Sequence, residues 1–466
     1  MSEFDVVVAG AGSAGCVLAA RLSEDPDCEV CLVEAGSDYG PFDAGRWPAD
    51  MLDSHTLAFS HAWERDREED RSQLRARIVG GCSAHNACAI LRAPPADYEW
   101  GPGWSFARLA PFLDRAAEQL RTRRFRDEEI APSHRALIDA AVNAGLPALD
   151  DPDEARPGVL HFPVNDVGGV RWNTAFAYLD PARSRPNLTI LADTLVDRID
   201  PETGSVETTA GTLGADTVVV AAGAYGSPAI LLRSGIGPGL THDLPVGERL
   251  CDHPGVGVGW LPSQRLEDLT KPHAEQFGLT AGQSLVKGRS TSCVDDAFDL
   301  HIFGAVEPGK DELGDPTGRY ELSAAIFLVA PKSRGRVWIE SADPAAPPRI
   351  DHGFLSDPGD IPPLVEGVAL MRELAATEPF RSLVDAEVRP GRNADLEAYV
   401  REAVRGYFHP TGTCALGSVV DGDCRVYGLE RIRVCDASIV PTVPRSNTNL
   451  TVVGVAELLA ESIGAA

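Results

Sequence analysis

FDVVVAGAGSAG, residues 4–15, runs on through CVLAARLSE into CEVCLVEAG at 28–36. FDVVVAG is a near-continuous β-branched run of the kind that forms a strand buried on both faces. The turn Gly10-Ala11-Gly12-Ser13-Ala14-Gly15 follows at once, a small-residue helix opens inside it, and CEVCLVEAG reads as a second strand. Strand, glycine-rich turn, helix and strand make a βαβ unit. Its glycines permit the tight turn and the close approach of a pyrophosphate to the helix N-terminus. Glu34 closes the second strand, where a carboxylate accepts hydrogen bonds from an adenosine ribose and disfavours a 2′-phosphate. The motif alone does not separate FAD from NAD.

Outward from this unit, TLGADTVVVAAGAYGSPAILLRSGIG (212–237) repeats the pattern of buried strand and turn. RIRVCDASI (431–439) adds one more strand, and after a proline-marked loop an apolar helix runs from about Thr448 to Ile463. The segments between have another character. DLHIFGAV, ELSAAIFLVAP and GRVWIES alternate as strands do, and LVEGVALMRELAA is amphipathic at helical spacing. The expected organisation is therefore a nucleotide-binding domain discontinuous in sequence (1–150, 187–262 and 406–466). A second domain (151–186 and 263–405) interleaves with it, and the active site is expected at their junction.

Lys and Arg number 42 against 69 Asp and Glu, a formal charge of −27, and even the dense run ERDREEDR at 64–71 is mixed in sign. Such a chain lacks the basic footprint that nucleic acid or an anionic membrane requires. MSEFDVVVAG carries no basic segment leading into an apolar one, and no stretch of about 18 apolar residues occurs. The expected location is the cytoplasm. Of the ten cysteines only Cys28 and Cys31 form a CxxC, and that pair lies in a strand with no second cluster to match it. The thiols are expected reduced and no metal is expected.

Residues 75–100, RARIVGGCSAHNACAILRAPPADYEW, hold a Gly80-Gly81 pair suited to bringing backbone N–H groups to a pyrophosphate or a flavin edge. Taken with GAYGSPAILLRSGIG (223–237), LPVGERLCDHP (244–254), YFHPTGTCALG (407–417) and VCDASIVPTVPRSNTNLT (434–451), this resembles the glucose–methanol–choline oxidoreductases over nearly the whole chain. The resemblance implies an α/β chain, α+β overall. It has a Rossmann-like FAD-binding domain and a substrate domain on an antiparallel or mixed sheet flanked by helices. It also implies oxidation of a small primary or amino alcohol by hydride transfer to flavin N5. The alternatives are a dehydrogenase passing electrons to an acceptor other than oxygen, and a non-redox lyase of the same family. The partners are then an alcohol and oxygen or another acceptor, with a homodimer left open.

Carried over position by position, Gly10, Gly12, Ser13, Ala14, Gly15 and Glu34 match the ADP-binding elements, and Val196 the adenine-contacting strand. Gly80, Gly81, Asn86 and Cys88 match the loop over the flavin. Asp436 and Ala437 lie beside the ribityl chain, and the last helix, from Asn447 and Thr448, directs its N-terminus to the pyrimidine carbonyl. His85, where an aliphatic residue is usual, is similar to choline-oxidase-like members that carry the flavin on a histidine. A histidyl–FAD bond is expected, a non-covalent contact being the alternative. His409 and Asn447 fall on the catalytic pair. A neutral imidazole takes the hydroxyl proton and an amide holds the same oxygen, so flavin reduction should rise through one ionisation near roughly pH 6.5–7.5. Asn447 is equally placed to cap the last helix. His301, Tyr407 and Phe408 are candidates for the substrate pocket. FGLTAGQSLVKGRSTSC (277–293) offers Gln283, Lys287 and Arg289 where a trimethylammonium group would need acidic and aromatic neighbours.

Overall fold

A computed structural model describes residues 3–63, 73–280, 282–310 and 316–464. The mixed-charge run at 64–71 lies outside them.

The first βαβ unit forms as its sequence dictates. Strand Phe4–Ala9 is the middle of a five-stranded parallel sheet, flanked by Val30–Val33 and then Leu188–Leu191 on one side, and by Ala215–Val220 and then Ile432–Val434 on the other. Val7, Val8, Leu32 and Val219 are wholly buried, as a parallel sheet covered on both faces requires. Helix Ser13–Leu22 packs on this sheet, and the last helix, Thr448–Gly464, lies between it and helix Phe106–Gln119. Glu457, buried in the last helix, is held by Arg21 at 3.0 and 2.9 Å and by Arg115 at 3.3 Å.

The second sheet is antiparallel, in the order Val384–Arg389, Pro254–Pro262, Pro316–Leu328, Leu300–Lys310, Ser284–Gly288, Gly158–His161. Alternation along its strands divides the side chains between two faces. Leu300, Ile302, Ile326 and Val286 pack under helices Pro132–Asn143 and Ile361–Ala375. The other face carries Lys287, His301 and Phe327, aligned in register across three neighbouring strands, with Gly255 next in the row.

Two segments expected in the nucleotide-binding part belong to this second sheet. Helix Pro132–Asn143, within 1–150, buries Leu137 and Ala140 there, and strand Pro254–Pro262, within 187–262, supplies Val256 and Val258 to the same core. GRVWIES forms a strand, as expected, in a small sheet of its own. Arg336–Trp338 pairs only with Arg349–Asp351, off the main sheet, and Val337 packs on Tyr225 and Leu250. Among the described residues no helix is long and apolar enough to cross a membrane, and no group of three or more His, Cys, Asp or Glu is arranged for a metal ion. All ten cysteines are unpaired.

Candidate active site

At the cofactor end the glycines are sterically obligatory. A Cβ on Gly15 would lie 1.8 Å from the Gly10 carbonyl oxygen, and one on Gly10, whose φ is +108°, 2.7 Å from that of Ala221. The Gly80-Gly81 loop rests directly on this turn, since a Cβ on Gly81 would lie 2.6 Å from Gly12 Cα, and Gly80 N–H donates to the Ala11 carbonyl at 2.8 Å. Ser13 Oγ donates to Asn449 Oδ1 at 2.8 Å, which brings the start of the first helix against the start of the last, while Asn449 Nδ2 is buried without a partner. Ala14 is buried beneath the turn. Two helix N-termini converging at a turn that only glycine can form fit the pyrophosphate of a dinucleotide such as FAD.

Glu34 braces this turn. Its carboxylate accepts from Ala11 N–H at 2.9 Å and from Gly36 N–H at 2.8 Å, and burial, opposed by those amides, pushes it up to about 7. Asp436 is also committed to backbone, accepting from Gly223 N–H and Ser438 N–H at 2.8 Å each and from the Ser227 hydroxyl. Ala437, next to it in the chain, and Thr448, at the start of the last helix, are half-buried, and Val196 is buried in strand Val196–Ile199. In the 80–88 loop, Asn86 Oδ1 accepts from Cys88 N–H at 3.0 Å, and Cys88 is buried at φ +60°, its thiol pushed up to about 11 by burial. His85, half-buried, follows the short turn Gly81–Ala84.

The catalytic end is assembled by a long-range backbone pairing. Cys251 and Thr411 exchange both amide hydrogen bonds, at 3.0 and 2.8 Å. Two residues from each, on the same side of this antiparallel bridge, stand His253 and His409, with their Nδ1 atoms 3.1 Å apart. Asn447 Nδ2 lies 3.2 Å from His409 Nε2. With the amide assigned in this orientation, the Asn447 N–H donates to a bare Nε2, so the His409 proton sits on Nδ1 and is donated to His253 Nδ1. Burial, reinforced by His253, His301 and Arg75, holds His409 well below the ordinary histidine range, and burial pushes His253 down to about 3. Both rings are thus neutral at pH 7. Behind them Asp252 Oδ1 accepts from His253 N–H at 2.7 Å and His409 N–H at 2.9 Å, and burial, opposed by Arg75, raises its carboxyl to about 6.

Tyr407 lies flat on Phe327, ring centroids 3.8 Å apart at 4°, with its centroid 4.1 Å from that of His409. Phe408, expected in the pocket, is 43% exposed: its φ of +66° turns it outward while Tyr407 and His409 face inward together. His301 is 1% exposed, stacks on Phe298 at 5.3 Å, and has no hydrogen-bond partner on either ring nitrogen. Of the three polar candidates upstream, Gln283 is spent on the backbone of Glu129 and Ala131, and Arg289 on the Asp295 carbonyl. Lys287 donates to the carbonyls of Pro152 and Glu154 at 2.7 Å each and sits 4.9 Å over the Phe298 ring.

Sequence reasoning missed His253. Its signal was the Asp-His-Pro of LPVGERLCDHP, quoted as a motif but given no role.

A dinucleotide cradle opening onto a neutral histidine and amide defines a cofactor-dependent oxidoreductase. Two models, each described as GMC oxidoreductase, match residues 4–255 and 331–456, and the chain belongs to that family. It is similar to the oxygen-dependent choline dehydrogenase of Photobacterium profundum, 31% identical over 99% of this chain and 93% of that one. It is also similar to the alcohol dehydrogenase [acceptor] of Pseudomonas putida, 29% identical over 99% and 95%. Among solved structures, pyridoxine 4-oxidase from Mesorbium loti superposes with a TM-score of 0.86 at 27% identity over 99% of both chains.

Proposed function

We propose that this chain oxidises a small alcohol to its carbonyl with FAD, with His409 as the base. The observation that carries this reading is the buried contact of Asn447 with His409 Nε2, backed by His253 at Nδ1. FAD, when bound, supplies the acceptor for the hydride that leaves the carbinol carbon. His409 Nε2 takes the hydroxyl proton, and the imidazolium so formed shares its charge with His253 through the Nδ1 hydrogen bond. The Asn447 N–H, released from the now protonated Nε2, holds the developing alkoxide. The alcohol thus loses one hydride and one proton and becomes the carbonyl.

In this reading the parallel-sheet part serves the cofactor and the antiparallel sheet the substrate. Gly10, Gly12, Ser13, Ala14 and Gly15 hold the pyrophosphate, Glu34 and Val196 the adenosine, Gly80, Gly81, Asn86 and Cys88 the flavin edge, and Asp436, Ala437 and Thr448 the ribityl and pyrimidine end. His85, at the head of the loop on the glycine turn, bonds the flavin covalently. Ten unpaired thiols agree with a cytoplasmic location. Anaerobic addition of alcohols tests the reading, since a substrate bleaches the flavin and admitted oxygen restores the colour if oxygen is the acceptor. A flavin that dithionite bleaches and no alcohol does would overturn it.

A further inference from the structure

We propose that His301 anchors a second polar group of the substrate, and that the alcohol oxidised here is a neutral aromatic one bearing a hydrogen-bonding ring substituent; this rests on the alcohol oxidation proposed above. His301 stands in the row Lys287, His301, Phe327, Gly255 on the sheet face turned away from the helices. Both of its ring nitrogens are buried without a partner. A buried polar atom left so is destabilising, so the fold gains nothing by keeping this one bare. His301 is neutral: burial, then His253 and Lys287, hold it well below the ordinary range. A neutral imidazole presents one N–H and one bare nitrogen, and so both donates and accepts.

The surroundings set the class of ligand. Phe298 stacks on His301 at 23°, Phe303 and Tyr407 meet it edge-on at 5.8 and 6.4 Å, and Tyr407 continues the wall to His409. The side chains between the base and His301 thus present ring faces and edges, which suit a flat ring. Aromatic rings also attract cations, but here Lys287 already holds its ammonium against Phe298. No carboxylate stands in the row of His301 itself. Asp299 gives both oxygens to Ser290, and Asp252 gives Oδ1 to the backbone N–H groups of His253 and His409, its Oδ2 being buried without a hydrogen-bond partner. Gly255, next in the row, has no room for an acidic side chain, since its Cβ would lie 2.2 Å from Phe327 Cδ1. A second cation on these rings would meet the repulsion of the Lys287 ammonium.

Anaerobic flavin reduction by the holoenzyme tests this with benzyl alcohol, the three hydroxybenzyl alcohols, 3-pyridylmethanol, 1-propanol and choline. At least one substituted aromatic alcohol should exceed benzyl alcohol about tenfold in second-order rate constant, the worth of one to two hydrogen bonds, and choline should fall below both. His301→Ala should cut that substituent preference by about tenfold, and His301→Gln, which keeps a donor and an acceptor, should restore part of it. Faster reduction by choline or 1-propanol, or an undiminished preference in both variants, would overturn the assignment while leaving alcohol oxidation intact. Failure of every alcohol to bleach the flavin would remove the underlying reading too. If His301→Ala does not hold flavin, the wild-type ranking and His301→Gln still decide the matter.

Discussion

Replacing Asp252 by alanine removes the oxygen that accepts the amide protons of His253 and His409, at 2.7 and 2.9 Å. Each buried N–H left without a partner costs about 1–3 kcal/mol, so together the loss is about 2–6 kcal/mol, set against a usual domain stability of about 5–15 kcal/mol. The chain can shed that cost by letting the segments around 253 and 409 drift apart, and a shift of about an ångström from productive geometry costs roughly 10²-fold in rate. Asparagine keeps an acceptor in place and loses only charge assistance, partly offset because a carboxyl raised to about 6 is already strained by burial. Asp252→Ala should therefore lose several degrees of thermal stability and slow flavin reduction by roughly 10–100-fold, with Asp252→Asn recovering most of both. Thermal unfolding by circular dichroism and anaerobic stopped-flow absorbance at the flavin band measure the two effects. An alanine variant as stable and as fast as wild type, or an asparagine variant as damaged as the alanine, would refute the anchoring role.

His409→Ala should lower the rate of flavin reduction by roughly 10²–10⁴, and Asn447→Ala by roughly 10–200, because one loses the base and the other a single hydrogen bond to a charged oxygen. A wild-type reduction rate in His409→Ala, read by stopped flow, would move the base elsewhere. Since burial and its neighbours depress His409, its acid limb should lie below pH 6.5, lower than the 6.5–7.5 read from sequence, with the rate rising as pH rises through it and the limb absent in His409→Ala. If His85 carries the flavin, acid precipitation should leave the wild-type pellet yellow and release the colour from His85→Ala; a colourless wild-type pellet would end the claim. His134, buried against Ser284 Oγ at 2.8 Å, is pushed down to about 3, so between pH 6.5 and 3 the unfolded chain binds a proton that the native one does not. Stability should fall as pH drops through that window, by up to about 1.4 kcal/mol per unit from this residue, and urea titrations of His134→Asn should show a shallower slope by up to one proton. An equal slope would contradict the neutral assignment.

What the sequence made legible was local. The turn at Gly10 to Gly15 demands glycine within a few residues of itself, and a Cβ 1.8 Å from the Gly10 oxygen is the same fact seen in space. His409 and Asn447 were found through the motifs around them. His253 was not, because its place beside His409 is created by the pairing of Cys251 with Thr411 across 160 positions, which no local period records. Phe408 shows the same limit: in an extended segment Tyr407 and His409 share one side and Phe408 takes the other, but which side is covered depends on distant chain, and here it is the side of Tyr407 and His409. Leu137 and Val256 pack in the core of the antiparallel sheet, which an apolar residue in sequence does not announce, since it looks the same whichever sheet it covers.

The first helix meets its cover very late: Arg21 and Glu457 stand 436 positions apart. At about 5–20 residues per second, roughly 20–90 s of synthesis separate the two, during which the small-residue face of the nascent first helix has no lasting partner. Both helix starts that converge through Ser13 and Asn449 frame the cradle, so its frame is complete only after the last helix has been made. A chain stalled before the last helix lacks one of the two helix starts at the cradle and the Glu457 that Arg21 holds.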